Sequence, residues 1–492
     1  MDGDLFYNGL TCLNAQEAAP VKVTLYRHQA EAFLMTMDLF SVFSGGLQKS
    51  EGMAYLMEMG TGKTVTAIAS MGCMYEEGLV RRVLIVAPLS ILPVWEDEIR
   101  KYAAFQNTVT ILTGNMDHKR MQLKHLSRNG LQIVIVNYES MRKLVAELKH
   151  YDADMIIADE GHRLKDRRTA QSEAMHELGD RARYKLLLTG TPVTNHEIDI
   201  WSEYRFLDPH VFGLSFYEFR SMYFVMGGYG YHTPIFLKSE LPEYTERLHS
   251  IAYRCRKEDC LDLPEITETI RRVDLEPEAR KLYDLVREDA YAGLSKARIS
   301  APNVLTRLLR LSQITGGYVT DDDGIIQTVS RAKLAALEDI VDAATAEGQK
   351  LVVMAHFTPE LDAIEGMLKR KKICYSVLRG STQNRGKEVA RFQNDPKCTV
   401  FVGQIQAAGE GISLTAASTM IFYSVDYSMV HFEQAKARIH RSGQTKPCSY
   451  IYLCCRNTVD QRVLKALREK KNLAQMLIDD YREGNDPFAG GR

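Results

Sequence analysis

Short apolar runs alternate with amphipathic stretches over two long parts of the chain. In the first part Ala54–Met57, Val83–Ala87, Gln132–Val136, Met155–Ala158 and Lys185–Leu188 read as buried strands, and a helical pattern follows Thr64. In the second, Leu351–Ala355, Cys374–Leu378, Thr399–Gly403, Met420–Tyr423 and Ser449–Leu453 read as strands, interleaved with helical patterns at Pro359–Lys371, Gly386–Gln393, Phe432–His440 and Val459–Lys470. Strands alternating with helices imply crossover units, in which each strand returns parallel to its predecessor and helices cover both faces of the sheet. The expected fold class is therefore α/β, with two tandem parallel-sheet lobes carrying helical insertions.

The pattern divides the chain into a first lobe at residues 1–197, a helical insertion and linker at 198–263, and a helical insertion of the second lobe at 264–330. The second lobe itself follows at 331–481, with a flexible tail at 482–492. The aromatic stretch Trp201, Tyr204, Phe206, Phe216, Tyr217, Phe219, Tyr223 and Phe224 has helical spacing, which predicts core packing rather than platforms for stacked bases. Glu276–Ile314 reads as helical, with Pro277 suited to a first helical turn.

Composition narrows the class. The 492 residues suffice for about three domains, and 45% hydrophobic with 25% charged residues fits a folded chain. The 62 basic and 63 acidic side chains cancel, so any nucleic-acid contact must be made by a local groove rather than a global field. The opening MDGDLFYNGL lacks a basic flank and an apolar run, and the longest apolar run is broken by Pro88 and Pro93; neither an export signal nor a membrane span is expected. Nine cysteines follow no repeating pattern, and Cys255 and Cys260 are too widely spaced for the usual zinc hook, so reduced thiols in a cytosol and no structural metal are expected.

The chemistry concentrates in a few segments. Met57-Glu58-Met59-Gly60-Thr61-Gly62-Lys63-Thr64 stands between a predicted strand and a predicted helix. Its glycines let the backbone curl so that N–H groups and the helix N-terminus face phosphate oxygens, with Lys63 as a point charge and the Thr64 hydroxyl as a Mg²⁺ ligand. Met57 occupies the place of the first glycine in the usual spacing, and read alone the segment is also compatible with a glycine turn before an ordinary helix. Asp159-Glu160 follow another predicted strand, where Asp159 suits Mg²⁺ and Glu160 suits proton acceptance from an attacking water; an acidic loop in solvent is the plainer alternative. Arg438 and Arg441 are three apart, so on a helix they share a face, and they are candidates to neutralise charge on a transferring phosphate.

Taken together, these segments resemble the Swi/Snf-type DNA-translocating ATPases of helicase superfamily 2. The resemblance runs in order from about Leu25 to Gln461. Leu25-Tyr26-Arg27-His28-Gln29 is similar to the adenine-recognition motif, MEMGTGKT to motif I, and Ala87-Pro88-Leu89-Ser90 with Trp95 and Glu98 to motif Ia. Asp159 to Lys165 is similar to the DEAH-plus-RLK signature, and Leu188-Thr189-Gly190-Thr191-Pro192 with Asn195 to motif III. Ala407 to Thr415 resembles motif V, and Gln434 to Gln444 (QAKARIHRSGQ) motif VI. The family's motif I commonly lacks the first glycine, which accounts for Met57.

The resemblance implies two RecA-like lobes and an ATP- and Mg²⁺-dependent motor on double-stranded DNA, with single-stranded DNA as the alternative track. It assigns Arg27, Gln29, Gly60, Thr61, Gly62, Lys63, Thr64, Gly409 and Gln434 to nucleotide binding, Thr64 and Asp159 to the metal, and Lys63, Asp159, Glu160, Arg438 and Arg441 to catalysis. Pro88, Ser90, His162, Thr189, Thr191, Ser413 and Thr415 would contact nucleic acid or couple it to ATP. Asp426-Tyr427-Ser428 departs from the family's Trp-Asn-Pro stretch, so the family's contacts for that loop are not carried over. A monomer working in the cytoplasm of a bacterial or phage-infected cell is expected.

Among the basic clusters, Arg163, Lys165, Arg167 and Arg168 directly follow the acidic pair and are expected in a DNA or cleft role, whereas Lys369–Lys372 reads as a solvated helix end. A strand-separating DNA or RNA helicase is the nearest alternative activity, and a nucleotide-gated scaffold without hydrolysis a more distant one.

Overall fold

The computed structural model describes residues 12–127, 129–190, 197–227, 233–260, 263–296, 301–320, 324–408, 411–441, 443–469, 473–483 and 485–489. The chain divides into two compact units, residues 1–262 and 263–492.

In the first unit the strands are β1 (Gly52–Met57), β2 (Arg82–Ala87), β3 (Asn107–Ile111), β4 (Leu131–Asn137), β5 (Met155–Asp159), β6 (Tyr184–Thr189), the paired β7 (Phe224–Gly227) and β8 (Thr233–Phe236), and β9 (Ala252–Cys255). Seven of them form a parallel sheet in the order β3-β4-β2-β5-β6-β1-β9. The central strands β1, β5 and β6 are buried along their whole length, as continuous apolar runs require when helices cover both faces.

The five strands expected here are present to within two residues at their ends, and the sheet extends beyond them. Edge strand β3, Asn-Thr-Val-Thr-Ile, is half-buried and alternates polar with apolar residues, so it lacks a continuous apolar run. The 198–263 segment is not solely a helical insertion. It holds helices Ile200–Leu207, Phe216–Tyr223 and Leu241–Ser250, the β7–β8 pair stands between the last two, and β9 returns to the sheet beside β1. Of the expected aromatic core, Trp201, Tyr204, Phe206, Phe219, Tyr223 and Phe224 are buried, joined by Phe212 and Tyr244, whereas Tyr217 is exposed. Phe212 packs edge-on against Tyr204, Phe219 and Tyr223.

The second unit contains β10 (Ile266–Val273), the antiparallel pair β11 (Tyr318–Thr320) and β12 (Ile326–Thr328), β13 (Leu351–Ala355), β14 (Tyr375–Leu378), β15 (Val400–Gln404), β16 (Thr419–Phe422) and β17 (Cys448–Cys455). Six form a parallel sheet in the order β10-β17-β16-β13-β15-β14. The expectation that 264–330 is a helical insertion needs correction at its start. Ile-Thr-Glu-Thr-Ile-Arg-Arg-Val is an edge strand paired along eight residues with β17, its charged side chains largely exposed. Helices Pro277–Lys296 and Ala301–Gly316 follow, the first opening at Pro277, whose missing N–H costs nothing at a helix start. Lys371 pairs with Glu338 and Asp342, and Lys369 with Glu365, in keeping with a solvated helix end.

One buried carboxyl in the second unit gives a stability prediction. Glu360 is 1% exposed; its Oε2 accepts hydrogen bonds from His356 N and Phe357 N and from the Ser424 hydroxyl. Burial pushes its pKa up to about 7. A carboxyl raised on folding favours the native state below its unfolded pKa, and that contribution is lost as pH rises through the folded value. The chain should therefore lose roughly 3 kcal/mol from this group between about pH 4.5 and pH 7. Glu360→Gln should flatten that slope, which thermal melts of both proteins across this range would reveal; parallel pH profiles would contradict the assignment.

Candidate functional site

The first unit gathers its chemistry at the carboxyl ends of adjacent parallel strands, the edge of an α/β sheet where ligands bind. After β1 the chain turns through Glu58–Gly62 into the helix Lys63–Glu76. Gly60 and Gly62 have φ of 86° and 95°, the left-handed region open to glycine. A Cβ on Gly62 would also stand 2.1 Å from the Gln29 amide nitrogen. The loop is held from inside by Thr61 Oγ1, which donates to the Glu58 carbonyl at 2.7 Å. It is held from outside by His28 Nε2 and Gln29 Nε2, at 2.7 and 2.8 Å from the Thr61 carbonyl. Gln29 Oε1 accepts from Tyr26 N at 3.0 Å, so one amide N–H and further oxygen lone-pair capacity remain for another partner. Lys63 Nζ donates to the Met57 carbonyl at 2.7 Å, folding over the loop. Arg27 lies on the exposed side, paired with Glu31.

Asp159 is the last residue of β5 rather than a residue beyond the strand. β6 runs between β1 and β5, with Leu56 opposite Thr189 and Asp159 opposite Leu188. At about 4.8 Å per strand, the cradle and Asp159 are two strands apart, roughly 10 Å, enough for a triphosphate and a cation. Asp159 is 8% exposed. Its Oδ2 accepts from Trp95 Nε1 at 2.8 Å, and its Oδ1 from Glu160 N at 2.9 Å. Burial first, then the Glu160 carboxylate, pushes its pKa upward, while Trp95 and Lys63 oppose the shift. A carboxyl so desolvated and so close to a second one is stabilised in its ionised form by a divalent cation, so the donor set fits Mg²⁺. Thr64 and Asp159 are the residues that would hold it.

Glu160 takes φ 52° and ψ 51°, a left-handed conformation that costs a non-glycine residue about 1–2 kcal/mol. His162 Nδ1 lies 3.3 Å from Glu160 Oε2, in the short turn Gly161–Leu164. Pro88 and Ser90 follow β2 at the same edge, and Thr189 ends β6, buried. Of the nearby cations, Arg163 approaches Glu139, Arg167 lies over the Phe216 ring and Arg168 pairs with Asp166. Thr191 and Asn195 lie outside the described residues.

The second unit holds the other predicted residues together. The helix Met429–Lys436 ends before the arginines, so Arg438 and Arg441 sit in the turns that follow it and not on the helix expected over Phe432–His440. They converge all the same: both guanidinium groups donate to the Ile412 carbonyl, at 3.0 and 3.2 Å. Arg438 Nε also donates to the Gln434 carbonyl at 2.8 Å, and Leu414 N donates to the Arg438 carbonyl at 2.9 Å. Gln434 is buried, and Gln444 Nε2 donates to the Ala417 and Ile439 carbonyls. Ser413 and Thr415 hydroxyls are 3.5 Å apart. Gly409 lies outside the described residues. The Asp426-Tyr427-Ser428 stretch is anchored within this unit, since Asp426 accepts from Ser428 N and His431 Nδ1 while Tyr427 OH bonds the Ser312 hydroxyl.

Residues 28–317 match the family described as "SNF2-related domain", and residues 332–443 match "Helicase conserved C-terminal domain". The chain belongs to the SNF2-related family. It is 26% identical over 481 residues to the DNA repair and recombination protein RAD54-like of Drosophila persimilis, covering 88% of this chain and 61% of that protein. It is 28% identical over 451 residues to the ATP-dependent DNA helicase DDM1 of Arabidopsis thaliana, covering 86% and 58%. The chain thus spans about three-fifths of the length of these relatives. Among solved structures, the Sulfolobus solfataricus SWI2/SNF2 ATPase core in complex with dsDNA is 25% identical, covers 95% of each chain and has a TM-score of 0.44. Among the described residues no helix is long and apolar enough to cross a membrane.

Two residues of this SNF2-related chain that hold Asp159 were not singled out for that role in the sequence. Trp95 is 1% exposed and donates directly to the carboxylate, and the Tyr138 hydroxyl donates to the Asp159 carbonyl at 2.8 Å. The signal for Trp95 was available, because a buried indole N–H must find an acceptor. Trp95→Phe keeps an aromatic ring, though a smaller one, and removes that donor. A hydrogen bond to a charged group contributes about 1.5–3 kcal/mol, so Mg²⁺-dependent nucleotide affinity should weaken by roughly 10-fold or more; titrations in Mg²⁺ and in EDTA would check it, and equal affinities of variant and parent in Mg²⁺ would exclude the role.

Proposed function

We propose that this SNF2-related chain is an ATP- and Mg²⁺-dependent motor that moves along double-stranded DNA, hydrolysing ATP to ADP and phosphate. The observation that carries the reading is the convergence, at one sheet edge, of the glycine cradle after β1, Thr189 on β6 and the desolvated Asp159 with Glu160 after β5. Gly60, Thr61, Gly62, Lys63 and Thr64 bind the phosphates, and Gln29, with Arg27 beside it, meets the base with its remaining amide capacity. When bound, Mg²⁺ supplies positive charge against the phosphate oxygens. Asp159 is kept in place for it by Trp95, and Glu160 accepts the proton of the attacking water. Arg438 and Arg441, with Gln434 and Gly409, neutralise charge that builds on the transferring phosphoryl group. Pro88, Ser90, His162, Thr189, Thr191, Ser413 and Thr415 contact the DNA backbone or relay its presence to the nucleotide. The chain acts as a monomer in the cytoplasm.

Movement follows if the nucleotide-bound and nucleotide-free states hold the phosphate backbone differently, because a ligand shifts a conformational equilibrium only by its differential affinity. The test is ATPase activity titrated with double-stranded DNA, single-stranded DNA and RNA at fixed salt, beside a triplex-displacement assay and a tailed-duplex unwinding assay. Stimulation by duplex DNA with third-strand displacement and no unwinding is expected. Unwinding without displacement would replace the reading with a strand-separating helicase, and no phosphate release with any nucleic acid would reduce the chain to a scaffold.

A further inference from the structure

The end of β9 brings two cysteines to a histidine. Cys255 closes β9, Cys260 closes the short helix Lys257–Cys260, and His28 lies on the helix Arg27–Leu39. One ligand atom from each of the three lies within 4.8 Å of the other two. The i and i+5 spacing of the cysteines argues against a hook made by them alone, but the third donor arrives from more than two hundred residues away in sequence, where spacing cannot reveal it.

The local chemistry suits a cation. A carbonyl can only accept, so in the 2.7 Å contact with the Thr61 carbonyl His28 Nε2 is the donor, which leaves Nδ1 as the nitrogen able to meet a cation. Metal-binding histidines are oriented by such a carbonyl bond from the other nitrogen. Cys255 and His28 are 6% and 5% exposed, which gives a dry site, and Cys260 is half-exposed, which gives a route of entry. The two thiols lie within hydrogen-bonding reach of each other, and the Glu58 and Asp259 carboxylates impose a negative field on both. Two sulfurs and an imidazole select zinc-like ions over Mg²⁺ or Ca²⁺, which take oxygen. Tetrahedral Zn²⁺, with bonds of about 2.0 Å to nitrogen and about 2.3 Å to sulfur, needs its donors roughly 3.5–3.8 Å apart, so binding would draw together atoms that already lie within 4.8 Å of one another.

We infer that His28, Cys255 and Cys260 form a binding site for one thiophilic divalent cation, Zn²⁺ being the natural occupant, which clamps the phosphate-cradle loop to the last strand of the first sheet. Register places Cys255 beside Met57, and Glu58 N donates to the Cys255 carbonyl at 3.0 Å. Lys257 N in turn donates to Glu58 Oε2 at 3.0 Å. The ion would thus close a ring of contacts from β9 through Glu58 and Thr61 to His28, independently of what the cradle binds.

The test uses the full chain, stripped with chelator and titrated with Co²⁺ and then Zn²⁺. One equivalent per chain, a thiolate-to-cobalt charge-transfer band displaced by Zn²⁺, and loss of that band in Cys260→Ser are expected. A readout that needs no variant is alkylation mapped by mass spectrometry: Zn²⁺ should protect Cys255 and Cys260 and leave half-exposed Cys374 as reactive as before. Absence of a stoichiometric band, an undiminished band in Cys260→Ser, no protection of the pair, or a Cys255–Cys260 disulfide in the freshly purified chain would each overturn the assignment.

Discussion

Glu160→Gln should bind ATP as the parent does and lose DNA-stimulated phosphate release by about 10²–10⁴, the usual worth of a positioned general base. The substitution is chosen for what it leaves alone. Glu160 holds a left-handed backbone directly after β5, and its N–H is committed to Asp159 Oδ1. Glutamine keeps that N–H and the side-chain length, and meets the same backbone cost. It cannot take a proton from water. A non-glycine residue kept in this region marks a place where the surrounding structure overrides local preference, as it does at functional sites. Glu160→Ala would be a poorer probe, since it also removes the partner of His162 Nδ1. Nucleotide titration beside phosphate release with duplex DNA separates binding from chemistry, and turnover within tenfold of the parent would remove Glu160 from the role of base.

How far the sequence discloses this arrangement depends on which kind of physical information each residue carries. The central strands were legible because a strand buried on both faces must be continuously apolar, as Val83–Ala87 and Met155–Ala158 are. Edge strands escape that rule. β3 is half-buried throughout and β10 largely exposed, both mix polar with apolar residues and so lack a continuous apolar run, and β9 is four residues identified as a strand by its pairing with β1. The cradle was legible for a similar reason: glycines at positive φ and a lysine at the helix start are local requirements. The pairing of Asp159 with its supports was not, because Trp95, on the helix Leu92–Tyr102, and Tyr138, just after β4, come from separate segments and meet it only in the folded sheet; a buried indole demands an acceptor without saying which. Nor could sequence show that the helix before Arg438 stops at Lys436, where the chain leaves helical geometry and turns both arginines onto the Ile412 carbonyl.

That turn separates the two arginines in their expected behaviour. Arg438 is 6% exposed and spends donors on the Gln434 and Ile412 carbonyls, so it holds the segment 412–414 against the end of the helix Met429–Lys436. Arg441 is half-buried and shares the Ile412 carbonyl through one nitrogen. A guanidinium that stabilises a transferring phosphoryl group can be worth about 10³–10⁵ in rate, and Arg441→Ala should lose turnover on that scale with a smaller change in melting temperature than Arg438→Ala. Arg438→Ala should lose turnover and also destabilise the second unit by roughly 1–3 kcal/mol, because buried carbonyls forfeit a charged donor. The lysine variants sharpen the contrast. Lysine is a point charge without the fork, so Arg441→Lys should recover part of the rate, while Arg438→Lys cannot span both carbonyls and should recover little. ATP hydrolysis with saturating duplex DNA, read beside thermal melts of all four variants, decides the matter. If Arg441→Ala turns over at the parental rate, the charge on the phosphate is met by Arg438 alone or by neither arginine, and the assignment of Arg441 to the transferring phosphoryl group fails.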